Sequence, residues 1–96
     1  MIKQLMIFCS SDIANVVSKE LSASGIQGYM RLAGHGTNVE KKTAFSHDLT
    51  WPADVFIIPA DETKIRRIMS GLKAYAGKCD MEPCLKMILS SVDELL

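Results

Sequence analysis

The residues best suited to chemistry stand near the middle of the chain, at Gly34-His-Gly36-Thr37, with Lys41 and Lys42 shortly after. A glycine lets its backbone amide come close to an anion, because no side chain stands in the way. Lys41, Lys42 and Lys78 can supply charge. The chemistry implied is the holding of a small anionic ligand. The competing reading is purely structural, in which the glycines end an edge strand or form a bulge.

Two histidines flank the same stretch, His35 and His47, with Asp48 beside the second. As metal ligands they need a third donor, for which Glu40 is available. They show no tight spacing motif, so solvated loop histidines are the alternative. Cys79 and Cys84 are separated by four residues. Zinc sites use such pairs, usually with a second pair, which this chain lacks. Free thiols are therefore one reading, and a metal or redox pair the other. No Ser/His/Asp constellation, phosphate-binding P-loop or carboxylate pair in an apolar setting is visible, so no enzymatic activity is expected.

Bulk properties narrow the classes. Lys plus Arg and Asp plus Glu are balanced at 11 each, which leaves no basic field for nucleic acid. The apolar run at residues 1–9 is too short for a membrane span and lacks signal-peptide features, so no membrane insertion and a cytoplasmic location are expected. An odd, low cysteine count fits reduced thiols, and Cys9 reads as a small core residue. The 96 residues are expected to form a single domain over 1–96. A hydrophobic fraction of 48% is more than so small a core readily hides.

The elements that must position these residues follow from periodicity. Residues 2–9 read as a strand with apolar side chains on both faces, hence a central strand. Ser10-Ser-Asp12 offers a cap and a first-turn carboxylate for a helix with the stripe Ile13, Val16, Val17 and Leu21. Gly25 supplies its stop. Residues 26–33 read as a more polar edge strand, broken by Gly34-His-Gly36. Residues 38–50 read as a polar loop or loose hairpin arm, and Trp51-Pro52 brings the chain back, with Trp51 as a packing anchor or, alternatively, a ligand platform.

Residues 53–59 are a third strand, again apolar on both faces. Asp61 caps a second helix with Glu62 in its first turn and the stripe Ile65, Ile68, Met69, Leu72 and Tyr75. Glu62 and Arg66 have i,i+4 spacing. Gly77 is placed after that helix, residues 78–83 in a turn and residues 85–89 in a fourth strand. The tail from Val92 is read as one helical turn. The order βαββαβ predicts an α+β, ferredoxin-like fold: a four-stranded antiparallel sheet with two helices on one face. The opposite face is then apolar where water would be expected. It must be covered by other copies of the chain or by the tail from Val92.

Taken together, the helix ending in Ser24-Gly-Ile-Gln-Gly28, the strand leading to Gly34-His-Gly36, the central loop and the capped second helix resemble the PII nitrogen-regulatory signalling proteins. Gly34 and Gly36 match the Gly-x-Gly that opens that family's long loop. Gly77-Lys78 falls where the family carries Gly and Lys for phosphate contact. The resemblance implies a compact homotrimer with its sheets facing inward. It implies an adenine nucleotide in clefts between subunits, and a non-enzymatic role in which the loop at 37–50 docks on a transporter or an enzyme. Residues 37–50 are shorter than the family's loop and contain no Tyr, and residues 79–84 replace its Gly-Lys-rich turn. A metal-responsive trimer of the CutA type, with a related fold, is the alternative.

Overall fold

The computed structural model describes residues 1–42, 48–76 and 85–96, with the backbone alone at 38–42 and 48–49. Its elements are β1 (Ile2–Ser10), α1 (Ala14–Ala23), β2 (Met30–Lys42), β3 (Asp48–Asp61), α2 (Glu62–Leu72) and β4 (Leu85–Ser91). The strands form one sheet in the order β2-β3-β1-β4, each neighbour antiparallel. This is the expected ferredoxin-like arrangement, with β1 and β3 central.

Register explains the core. Leu5 stands between Ile58 and Leu89, Ile7 between Phe56 and Met87, and Cys9 between Asp54 and Leu85. Strand alternation puts these side chains on one face, where α1 lays Ala14, Val17 and Leu21 and α2 lays Ile65, Ile68 and Leu72. Each fully buried Leu, Ile or Phe contributes about 1.5–3 kcal/mol relative to exposure. The expected stripe on α2 holds for Ile65, Ile68 and Leu72, with Met69 half-buried, but not for Tyr75, which lies past the end of α2 in a 3₁₀ turn and is exposed.

Helix ends follow local chemistry. Asp61 accepts a hydrogen bond from the Thr63 amide at 3.0 Å, as a cap should. Glu62 pairs with Arg66 at 3.5 Å, in an exposed contact of small energetic weight. Gly25 has φ of +78°, and the Gly25 and Ile26 amides bond back to Ser22 and Leu21. That is a Schellman ending, which favours glycine at the left-handed position.

Four local expectations are corrected. The first helix does not start on a Ser10 cap: residues Ser11–Ile13 form a 3₁₀ turn and no side chain caps α1. Ser11 instead donates to Asp54, 43 positions away, at 2.7 Å. The second strand begins at Met30 rather than residue 26. Gly34-His-Gly36 does not break it, for these residues pair in register with Ala53, Pro52 and Trp51. Glycine bonds through its backbone as any residue does, and β3 offers an unbroken partner. Pro52 is tolerated because β1 ends with the Ser10–Ala53 pair, so among the described residues one side of β3 has no strand to bond there. Finally, the tail after Ser91 forms no helical turn, and Leu95 and Leu96 are exposed rather than laid on the sheet.

Among the described residues, no helix is long and apolar enough to cross a membrane.

Candidate functional site

Beyond the Gly34–Ala53 pair, β2 and β3 leave the four-stranded sheet and run on as a two-stranded arm. Pairing continues to Lys42 and Asp48, with a register irregularity after Asn38. Of the stretch 37–50, read in sequence as a loop or loose hairpin arm, residues 37–42 and 48–50 are therefore strand. Gly34 to Thr37 occupy the base of this arm.

The face of the sheet away from the helices carries apolar side chains on all four strands, with Lys86 among them. Met30, Ile57, Met6 and Ile88 form one row, and Leu32, Val55, Phe8 and Lys86 the next. Met30 is 59% exposed, Leu32 50% and Ile88 44%. A connected patch of this kind marks an interaction surface.

At the arm end of this face lies a cleft of about 810 Å³. Its apolar wall comes from Phe8, Leu32, Val55, Trp51 and Ile88. Gly34, His35, Gly36 and Thr37 border it, and Lys86 brings a positive charge. Between the row of Leu32 and Val55 and the row of Gly36 and Trp51 lies the pair Gly34–Ala53. That row carries a single methyl group, and a Cβ at Gly34 would meet nothing within 4 Å. The floor of the cleft is thus nearly bare backbone. Trp51 covers Gly36, and a Cβ at Gly36 would run into the face of the indole, at Cε2, Cζ2 and Nε1.

Behind the cleft, on the helix side, sits a buried polar network. Asp54 is 5% exposed. It accepts from Ser11 Oγ at 2.7 Å and from Arg31 Nε at 2.6 Å. The guanidinium of Arg31 lies 5.2 Å from the centre of the Phe56 ring and also reaches Ser18. The hydrogen bond from Ser11, helped by Arg31, holds the Asp54 carboxyl below the usual carboxylate range, against the opposing effect of burial. Its charge is compensated on that side of the sheet. Cys9 lies beside it, and burial together with the Asp54 charge pushes its thiol up to about 11. Such a thiol is a core group and a poor nucleophile.

The sequence-derived candidates distribute as follows. Gly34, His35, Gly36 and Thr37 meet at the cleft. Alternation sets the His35 and Thr37 side chains on the other side of the strand from the two glycines. Lys41 and Lys42 lie further along β2, near the end of the arm. Their side chains, and residues Gly77, Lys78, His47, Cys79 and Cys84, lie outside the described residues. Among the described residues no group of three His, Cys, Asp or Glu could hold a metal ion. Lys86 was not anticipated, and Trp51 reads in sequence first as a packing anchor, with a ligand platform as the alternative. Alternation along β4 puts Lys86 on the face of Ile88, and only the sheet order brings it beside Phe8.

Three solved structures have this fold at low sequence identity. The ATP complex of GlnK from B. subtilis superposes with a TM-score of 0.72 at 9% identity, covering 96% of this chain and 84% of that one. CPII, a nitrogen regulatory PII-like protein from Thiomonas intermedia K12 bound to ADP, AMP and bicarbonate, gives 0.66 at 13% identity, covering 99% and 96%. A functionally unknown protein from Pediococcus pentosaceus ATCC 25745 gives 0.67 at 11%, covering 99% and 95%. No protein-family model and no curated protein sequence matches the chain. The chain therefore has the PII-type ferredoxin-like fold.

Proposed function

We propose that this chain is a non-enzymatic regulator of the PII type, binding an adenine nucleotide in the cleft at the base of its arm. The observation that carries the reading is the cleft itself. It joins bare glycine backbone, an apolar wall and one lysine, which suits a ligand with a flat apolar part and an anionic part. Two proteins of the same fold hold adenine nucleotides. In this reading residues 1–96 act as one domain in the cytoplasm. Copies assemble as a homotrimer through the open sheet face, so that the cleft lies at a seam between subunits. Gly34, His35, Gly36 and Thr37 border the ligand, Lys86 faces its phosphate, and Gly77, Lys78, Lys41 and Lys42 add to the same anion site. The arm over 37–50 changes its contacts with the ligand and docks on a regulated transporter or enzyme. Neither nucleic acid nor membrane insertion enters the reading.

Calorimetric titration with ATP, ADP, AMP and cyclic AMP tests it. Saturable heat with at least one of them is expected, weakened by Lys86→Gln. Absence of heat with all four at millimolar concentration contradicts the reading.

A further inference from the structure

We propose that Trp51 is the stacking platform of the cleft, taking the flat ring of a purine nucleotide whose phosphate points along the Gly34–Ala53 row towards Lys86. The proposal rests on the reading that the cleft binds such a nucleotide, and it assigns the group that recognises the base.

Three observations meet at this residue. First, the indole lies face-down on Gly36, in the space a side chain there would fill. One ring face is spent on β2 backbone, and the half-buried residue turns its remaining surface to the cleft. Second, Trp51 stands on the two-stranded arm, past the last β1–β3 pair at Ser10–Ala53. Among the described residues no helix or third strand covers it there, so core packing does not account for a large aromatic side chain. Covering a strand glycine does account for one ring face. It leaves the outward face unexplained. Third, the neighbouring row is empty. Gly34 and Ala53 leave a passage one row wide between the indole and Leu32, with no side chain beyond a methyl.

Distance fits a molecule with two ends. Lys86 pairs with Phe8, which pairs with Val55, four residues along β3 from Trp51 and two strands across. Standard strand spacings put the two Cα atoms roughly 17 Å apart. With both side chains reaching inward, the gap suits a base at one end and a phosphate at the other. A simple inorganic anion would engage Lys86 and leave the indole untouched. An aromatic face is tolerant of base identity, so the class assigned is purine nucleotide, with no choice among bases.

Trp51 is the only tryptophan in the chain, so its emission reports the site directly. The experiment titrates the wild-type protein with ATP, AMP, adenosine and inorganic tripolyphosphate, reading fluorescence and heat together. The nucleotides are expected to quench Trp51 emission saturably, with the midpoint found by calorimetry. Adenosine should quench at higher concentration. Tripolyphosphate should compete with ATP without quenching. Trp51→Leu should raise the calorimetric Kd roughly 5- to 150-fold, the span of base–aromatic stacking. Trp51→Phe, which keeps a ring over Gly36, should recover most of that loss. Should Trp51→Leu fail to fold, the Phe variant and the wild-type quenching still decide. Nucleotide binding by calorimetry with unchanged emission and a Kd within twofold in the Trp51 variants overturns the stacking role and leaves the cleft reading intact. No heat with any nucleotide overturns both.

Discussion

Arg31 Nε lies 2.6 Å from Asp54 Oδ2, and this contact ties the outer strand to the middle of the sheet on the helix side. The carboxylate is buried and the guanidinium is 41% exposed, so the pair is only partly shielded from solvent. Ser11 supplies a second donor from the turn before α1. One buried charge thereby fixes β2, β3 and the start of α1 relative to each other, directly behind the cleft.

Removal of Arg31 leaves that carboxylate with one donor in place of two. Arg31→Ala is expected to lower unfolding free energy by about 1–3 kcal/mol, the scale of an under-satisfied buried polar group. Replacing both partners, in Arg31→Leu with Asp54→Leu, should cost less than the sum of the single changes. Urea unfolding followed by far-ultraviolet circular dichroism measures both.

The same network sets an acid limit. Asp54 has a depressed carboxyl pKa in the fold, so the folded state holds the proton less tightly than the unfolded chain. Its contribution is present above the ordinary carboxylate pKa. It is lost as pH falls through and below that value. Stability from urea unfolding should therefore drop between pH 5 and pH 3 more steeply for the wild type than for Asp54→Asn. Equal slopes would count against the network.

Cys9 works at the opposite end of the scale. Its thiol is raised from 9.0 to about 11, so the folded state keeps the proton longer than the unfolded chain. Stability from this group is complete below pH 9 and lost as pH rises towards 11. Cys9→Ala should flatten that alkaline loss. In native protein at pH 8, iodoacetamide should leave the Cys9 peptide unmodified, and label it once urea is added, as peptide mapping by mass spectrometry would show.

The sheet order was legible because β1 and β3 carry apolar residues in both alternation classes, the pattern of strands in the middle of a sheet. The second helix was legible from the Asp61 cap and a regular stripe. The arm was not. Gly34, Gly36 and Pro52 read locally as breakers, and what keeps the strand running is a partner some fifteen residues away that lays an indole over a glycine. Ser11 misled for a similar reason: a serine before a helix suggests a cap, yet its hydroxyl is claimed by Asp54 through tertiary contact. Of the cleft, the glycine side was visible as an unusual residue choice. Lys86 was not, since a lysine alternating with Leu85 and Met87 looks like an ordinary solvent-facing position until the sheet sets it beside Phe8.

The exposed side chains of Met30, Leu32 and Ile88 on the open sheet face predict how assembly can be broken without breaking the fold. Leu32 is half exposed and takes no part in the core between sheet and helices. Leu32→Asp should keep the circular dichroism spectrum and cooperative unfolding of the wild type while reducing the protein to monomers. Nucleotide heat should fall with it, because in the proposed assembly the cleft lies at the seam between copies.

The most direct test of the whole account is the mass of the protein in solution, measured by sedimentation equilibrium at micromolar concentration. The proposed homotrimer, with the apolar sheet face buried between copies, predicts a single species of about three times the chain mass of 10.6 kDa. A stable 10.6 kDa monomer, with that face open to water, would contradict it.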